Sequence, residues 1–270
     1  MGQAKQRKAA KDAGRPWAPH MPVAVSSATG TNRDVRQMER LGQLAKVAEA
    51  KTREMLQAAR AAPGDAARFD GLHAILQGAM GMMEAEVESG YAGAEMSRVK
   101  ESIACRKGCS FCCHLAVEAT IIEAICVWRR ASQSPQLTAN ILETGPKTAN
   151  VPALERWQLK VRCPMLGADG ACQVYDVRPG GCRAYVSVDV AACERALVTA
   201  GTPEEDLGVP IVTFPRKIET AISIGVRRAC AAENLQSCNV ELTGALYLLA
   251  TDPTAASRWL AGEAVFQPYP

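Results

Sequence analysis

Cys105, Cys109, Cys112 and Cys113 fall within nine residues, and His114 follows directly. Thiolates packed that densely repel one another and oxidise easily, so a reducing compartment offers little reason to gather them except around a soft metal. A second series, Cys163, Cys172, Cys182 and Cys193, has eight, nine and ten residues between its members. Eight of the 11 cysteines therefore form two groups of four. That is the stoichiometry of Cys₄ zinc or iron–sulfur ligation.

The first four cysteines stand at i, i+4, i+7 and i+8. On a helix they would share one face within about 80–100° of arc. Gly108 and the adjoining pair argue instead for a loop or a helix N-terminus, where backbone N–H groups stabilise thiolate charge. Consecutive side chains diverge, so Cys112 and Cys113 either serve two different metals or one of them bridges. The later cysteines must close the coordination, and Arg106, Lys107, Arg178 and Arg183 lie close enough in sequence to balance the thiolate charge. His114 reads as a ligand, a hydrogen-bond donor behind the ligands, or a surface residue, and stays outside the ligand set. Tyr175 and Tyr185 are either walls of the site or ordinary core aromatics. The competing reading makes the cysteines small buried residues or opportunistic disulfides. Eight of 11 within roughly a third of the chain argues against it.

These residues also carry a resemblance. The first cluster, the run from Cys163-Pro-Met-Leu through Tyr175-Asp-Val-Arg178-Pro179-Gly-Gly-Cys182-Arg183-Ala-Tyr185, and Cys193-Glu-Arg-Ala together resemble the YkgJ-type cysteine-cluster family, the CxxCxxCC zinc- or iron-chelating domain. The likeness covers roughly residues 100–200, with a first gap here of three residues instead of two. It implies metal chelation by all eight cysteines. One relative in that family, a flagellin lysine methylase, implies methyl transfer beside such a cluster.

Composition sets the frame. A chain of 270 residues, 48% hydrophobic and 22% charged, is globular and long enough for one large domain or two small ones. It contains no apolar run near 18 residues, and its basic N-terminus has no hydrophobic region behind it, so neither a membrane span nor a signal peptide is expected. A cytoplasmic location follows, which favours ligation over disulfides. The net charge of +3 is uneven: the first 20 residues carry +4, with Lys5, Arg7, Lys8, Lys11 and Arg15 against only Asp12, and the remainder is close to −1. The body lacks the basic footprint of a nucleic-acid binder, so any such contact is weak and belongs to the tail. The bland reading of that tail, a disordered solubilising leader, is the preferred one.

Four segments are expected: a disordered basic tail at 1–30, a helical hairpin at 31–100, a cysteine-cluster metal-binding domain at 101–200 and a C-terminal helical segment at 201–270. The fold class is mainly α, a helical scaffold with an irregular cysteine-rich region. Helices are predicted near 32–62, 66–100, 120–131, 216–232 and 243–262, a polar turn-rich stretch at 133–150, and irregular structure at 160–195. The first helix should bury Val35, Met38, Leu41, Leu44 and Val47, and the second Phe69, Leu72, Leu76, Met80, Met83 and Val87. Thr120 and Glu123 have the capping-box spacing. Cys126 reads as a buried hydrophobe and the Met80, Met82, Met83 group as core filler.

No phosphate loop, nucleophile elbow or glycine-rich methyl-donor site is visible. The functional expectation is a cytoplasmic protein that chelates zinc or iron, an iron–sulfur cluster included. The alternatives are an iron–sulfur oxidoreductase or methyltransferase, and a copper or zinc store or sensor, since Cys₄ suits all of these metals.

Overall fold

A computed structural model describes residues 32–205 and 208–269, with side chains from residue 35 onward. The tail expected at 1–30 and the cap expected at Thr31 lie outside the described residues. The architecture is mainly α, with 11 α-helices and a single two-stranded sheet among the described residues. The frame is built from α1 (Asn32–Ala61), α2 (Gly64–Gly90) and α9 (Phe214–Ala232), which pack against one another. The antiparallel partners α1 and α2 are joined through Ala62 and Pro63. A second layer joins α4 (Ile121–Ala131), α5 (Pro135–Thr148) and α10 (Leu242–Thr251). The two layers share one apolar core that runs from Ala48 to Phe266 and closes on fully buried Trp259.

The face that α1 buries matches the expected stripe only in part: Leu41 and Leu44 pack, partly buried, against the core, and the other three do not. Val35 and Met38 are 53% and 69% exposed, Val47 is exposed too, and the helix turns Ala45, Ala48, Thr52, Leu56 and Ala59 inward. Small residues win there because two helices come close. A side chain at Gly225 of α9 would run into the Ala45 carbonyl and the Ala48 Cβ, and one at Gly71 of α2 would meet Ala59. Gly225→Ala should therefore cost about 1–3 kcal/mol, because neither contact is a flexible side-chain end. A lowered thermal midpoint in calorimetry checks this; an unchanged midpoint would mean that the helices part freely. The α2 stripe is as expected, with Leu72, Leu76, Met80 and Met83 buried.

Three other expectations are corrected. The helix predicted at 66–100 ends at Gly90 and resumes as α3 (Ala94–Glu101), because Tyr91 turns to pack edge-on against Phe214 and Gly93 takes a positive φ of 98°. The stretch 133–150 is helical, since Ser134 caps it through the Leu137 N–H and Pro135 takes the first-turn position where no N–H is needed. The helix predicted at 243–262 breaks at Asp252-Pro253, where the Asp252 carboxylate accepts from the Thr254 N–H, and resumes as α11 (Ala255–Leu260).

The sheet matters for the site. β1 (Glu118–Thr120) pairs antiparallel with β2 (Asn239–Glu241), with Ala119 opposite Val240. This places the end of the first cysteine cluster against the C-terminal layer.

Candidate metal centre

The first cluster hangs between α3 and β1. The Ala104 N–H donates to the Ser187 carbonyl at 2.9 Å, which starts the segment, and the Cys109 N–H donates to the Arg106 carbonyl across a tight turn. Gly108 makes that turn possible with a φ of +89°. Phe111–His114 then form one 3₁₀ turn that carries Cys112 and Cys113.

The second cluster is less irregular than predicted. Cys163 is joined directly to the first cluster, its N–H donating to the Cys113 carbonyl at 2.7 Å. A hairpin bridged at Leu166 and Cys172 turns at Gly170, where Asp169 accepts from the Ala171 N–H. Pro179 leads into the short helix α7 (Gly180–Ala184), which carries Cys182. Cys193 lies on α8 (Val190–Thr199), capped by the Asp189 carboxylate on the Ala192 N–H. That helix was hidden because its only strong signal is the cap; its Ala-rich sequence has no broad apolar stripe.

All 11 cysteines are free thiols. Cys109, Cys112, Cys113, Cys163, Cys172 and Cys182 line one cavity of about 1040 Å³ that opens to solvent. Cys105 and Cys193 stand beside it, and the Ser187 N–H donates to the Cys105 sulfur at 3.2 Å. A smaller cavity of about 390 Å³ shares Cys112 and Tyr185 and reaches Cys193. Cys126 and Cys230 lie in the apolar core, and Cys238 packs at its edge. Among the described residues, no three His, Cys, Asp or Glu side chains stand at metal-coordinating geometry. The donor set nevertheless suits zinc or iron in type and number, because six unpaired thiols line a single open volume and two more stand beside it.

Electrostatics separates the thiols. The Cys112 thiol is drawn down to about 7 by the hydrogen bond that Cys113 donates to it, helped by the Arg178 charge against its burial. Cys113 is held protonated by that same bond. Burial pushes Cys163 up to about 12 and Cys182 well above the usual thiol value. His114 has its pKa lowered by burial, and its Nδ1 faces the Phe111 carbonyl at 3.2 Å.

Several holding residues were invisible in the sequence. Arg156 is 1% exposed, and its guanidinium donates to the His114 and Val161 carbonyls, one residue past Cys113 and two before Cys163. Glu123 does more than cap α4: beyond the Thr120 N–H, its other oxygen accepts from the Gly180 N–H at 2.8 Å and fixes the first turn of α7. Arg183 donates to the Tyr175, Asp176 and Arg178 carbonyls and so straps the turn that carries Arg178. Arg178 stacks over the exposed Tyr175 ring at 4.6 Å. Only Arg178 and Arg183 have a sequence signal, their nearness to the ligands; Ser187, Arg156 and the long reach of Glu123 have none.

Glu219 of α9 lies beside Gly180 and Glu123. Burial raises its pKa to about 7, and the Glu123 charge adds to this. A carboxyl raised in the fold contributes stability that is present below its ordinary value near 4.5 and lost as pH rises through about 7. Glu219→Gln is therefore expected to be nearly neutral at pH 5 and to stabilise by on the order of 2–3 kcal/mol at pH 8. Thermal unfolding of both chains across that range checks it; a difference independent of pH would contradict the assignment.

Residues 104–202 match the family model CxxCxxCC, described as "Putative zinc- or iron-chelating domain". No curated protein and no solved structure matches the chain. The matched segment carries all eight clustered cysteines, from Cys105 to Cys193, and is similar to that zinc- or iron-chelating domain.

Proposed function

We propose that the chain is a cytoplasmic metal-binding protein that takes zinc or iron, an iron–sulfur cluster included, through Cys105, Cys109, Cys112, Cys113, Cys163, Cys172, Cys182 and Cys193. The observation that carries this reading is the convergence of two runs, separated by about 50 residues and both within the matched segment, on one cavity. The helical segments at 31–100 and 201–270 then serve as a frame for the segment at 101–200. Metal binding displaces the thiol protons, so affinity should rise with pH.

Anaerobic purification followed by metal analysis and absorption spectroscopy tests the reading. Bound zinc leaves the protein colourless, whereas an iron–sulfur cluster colours it brown. A chain that holds neither metal after reconstitution contradicts the proposal. The lining of the cavity favours a second reading, an iron–sulfur oxidoreductase or methyltransferase, because Tyr175, Tyr185, Arg178 and Arg216 converge on its wall beside the thiols. Iron together with a ligand-dependent spectral change would favour that reading. A store or sensor would instead load clearly more than two ions.

A further inference from the structure

We infer that the cavity takes a second occupant beside the metal: a small organic anion, a carboxylate or phosphate on an apolar body, whose charged group is held by the Arg178 and Arg216 guanidiniums. This extends the chelation reading above and rests on it for the metal alongside.

The wall of the cavity carries four cations, Arg106, Lys107, Arg178 and Arg216, and a single carboxylate, that of Glu118. Asn239 already engages that carboxylate at 2.6 Å. Arg106 and Lys107 are exposed, whereas Arg178 and Arg216 are half-buried. Arg183 nearby shows how a structural arginine is satisfied here: it donates to three backbone carbonyls and meets the Glu84 carboxylate at 3.3 Å. Arg178 lacks such partners. The Tyr175 ring covers one face of its guanidinium, and its Nε is buried with no hydrogen-bond acceptor among the described residues. Arg216 has a long ion pair, 3.8 Å from its Nη1 to Glu219. It lies against the first turn of α7, where a side chain at Gly181 would come within 3.4 Å of that same Nη1. Gly181 thus leaves room for the guanidinium next to Cys182.

Balancing thiolate charge asks only for nearness, which a lysine supplies as well. A guanidinium is a planar fork that matches the paired oxygens of a carboxylate or phosphate. Neither Arg178 nor Arg216 donates to a sulfur among the described residues. The rest of the wall sets the body of the ligand. Met165, Leu166, Val174 and Leu242 line it and are buried, so an apolar body gains by covering them while the two forks fix its charged end.

The test is calorimetric titration of the zinc-loaded full chain with benzoate, phenyl phosphate and the neutral benzyl alcohol, with zinc content and circular dichroism followed in parallel. At least one anion should bind and the alcohol should not, and the tighter anion names the charged group. R178Q and R216Q should each weaken that anion about tenfold and keep their zinc, while R129Q, outside the cavity, should change neither. R178K should keep zinc yet bind the anion more weakly than wild type, because it restores charge without the fork. Binding of neither anion, equal binding of the alcohol, or full recovery in R178K overturns the inference and leaves chelation standing. So does loss of zinc in R178Q and R216Q, which would assign the arginines to the metal centre. A chain that takes no metal but still binds the anion through both arginines removes chelation and leaves this site. Should a variant lose its helices, phenylglyoxal labelling of the wild-type chain decides instead. Benzoate or phenyl phosphate should shield Arg178 and Arg216 and leave Arg129 reactive; labelling unchanged by either anion overturns the inference.

Discussion

Stripped of metal, the chain is expected to be cut first by protease between Cys163 and Cys193, while α1, α2 and α9 persist. The difference has a plain cause. Those three helices bury Leu56, Leu72, Ile75, Leu76, Ile222 and Val226 in a shared core, which needs no external support. The segment from Cys163 to Cys193 buries little beyond Met165, Leu166, Val174, Val177 and Ala184, and much of its backbone lies in turns. In such segments metal contributes much of the folding free energy, on the order of 10 kcal/mol for structural zinc. Limited proteolysis with and without a chelator, read by mass spectrometry, measures the effect. Equal protection of residues 163–193 in the metal-free chain would show that the cysteines do not hold this segment together.

Arg156→Leu is expected to be among the most damaging single substitutions outside the cysteines. It removes a buried cation and leaves the His114 and Val161 carbonyls without their donor. Each orphaned carbonyl costs about 1–3 kcal/mol, so the loss should be on the order of 2–6 kcal/mol. Because those carbonyls flank Cys113 and Cys163, the variant should also bind metal more weakly than a chain equally destabilised elsewhere, such as Gly225→Ala. Chemical unfolding combined with a metal competition titration separates the two effects. Unchanged affinity would reduce Arg156 to a purely structural role.

The sequence was most legible where chemistry or periodicity is local. The α2 stripe, the Thr120–Glu123 capping box and the buried Cys126 follow directly from spacing and residue type. The face of α1 was not legible, because its burial is decided by how closely Gly225 and Gly71 let other helices approach, and no pattern within α1 reports that. Ser134-Pro135 reads equally well as a turn or a helix start, and only the packing of α5 against α10 resolves it. At the site, the ligand types and their grouping in the chain were evident. Which thiols neighbour which was not, since Ser187 and Arg156 act through backbone contacts that any residue order would conceal.

The pairing of β1 with β2 has a consequence for how the protein is made. Glu118 meets Asn239 across 121 residues, and Arg53 of α1 meets Glu233 across 180. During synthesis the first cysteine cluster is thus complete long before the strand and helices that enclose it. At about 5–20 residues per second, the wait is roughly 6–24 s. For that interval the nascent thiols lack the strand and helices that later cover them. Keeping them reduced, or meeting them with metal, is therefore a task for the cell at the ribosome, before the finished molecule can protect them.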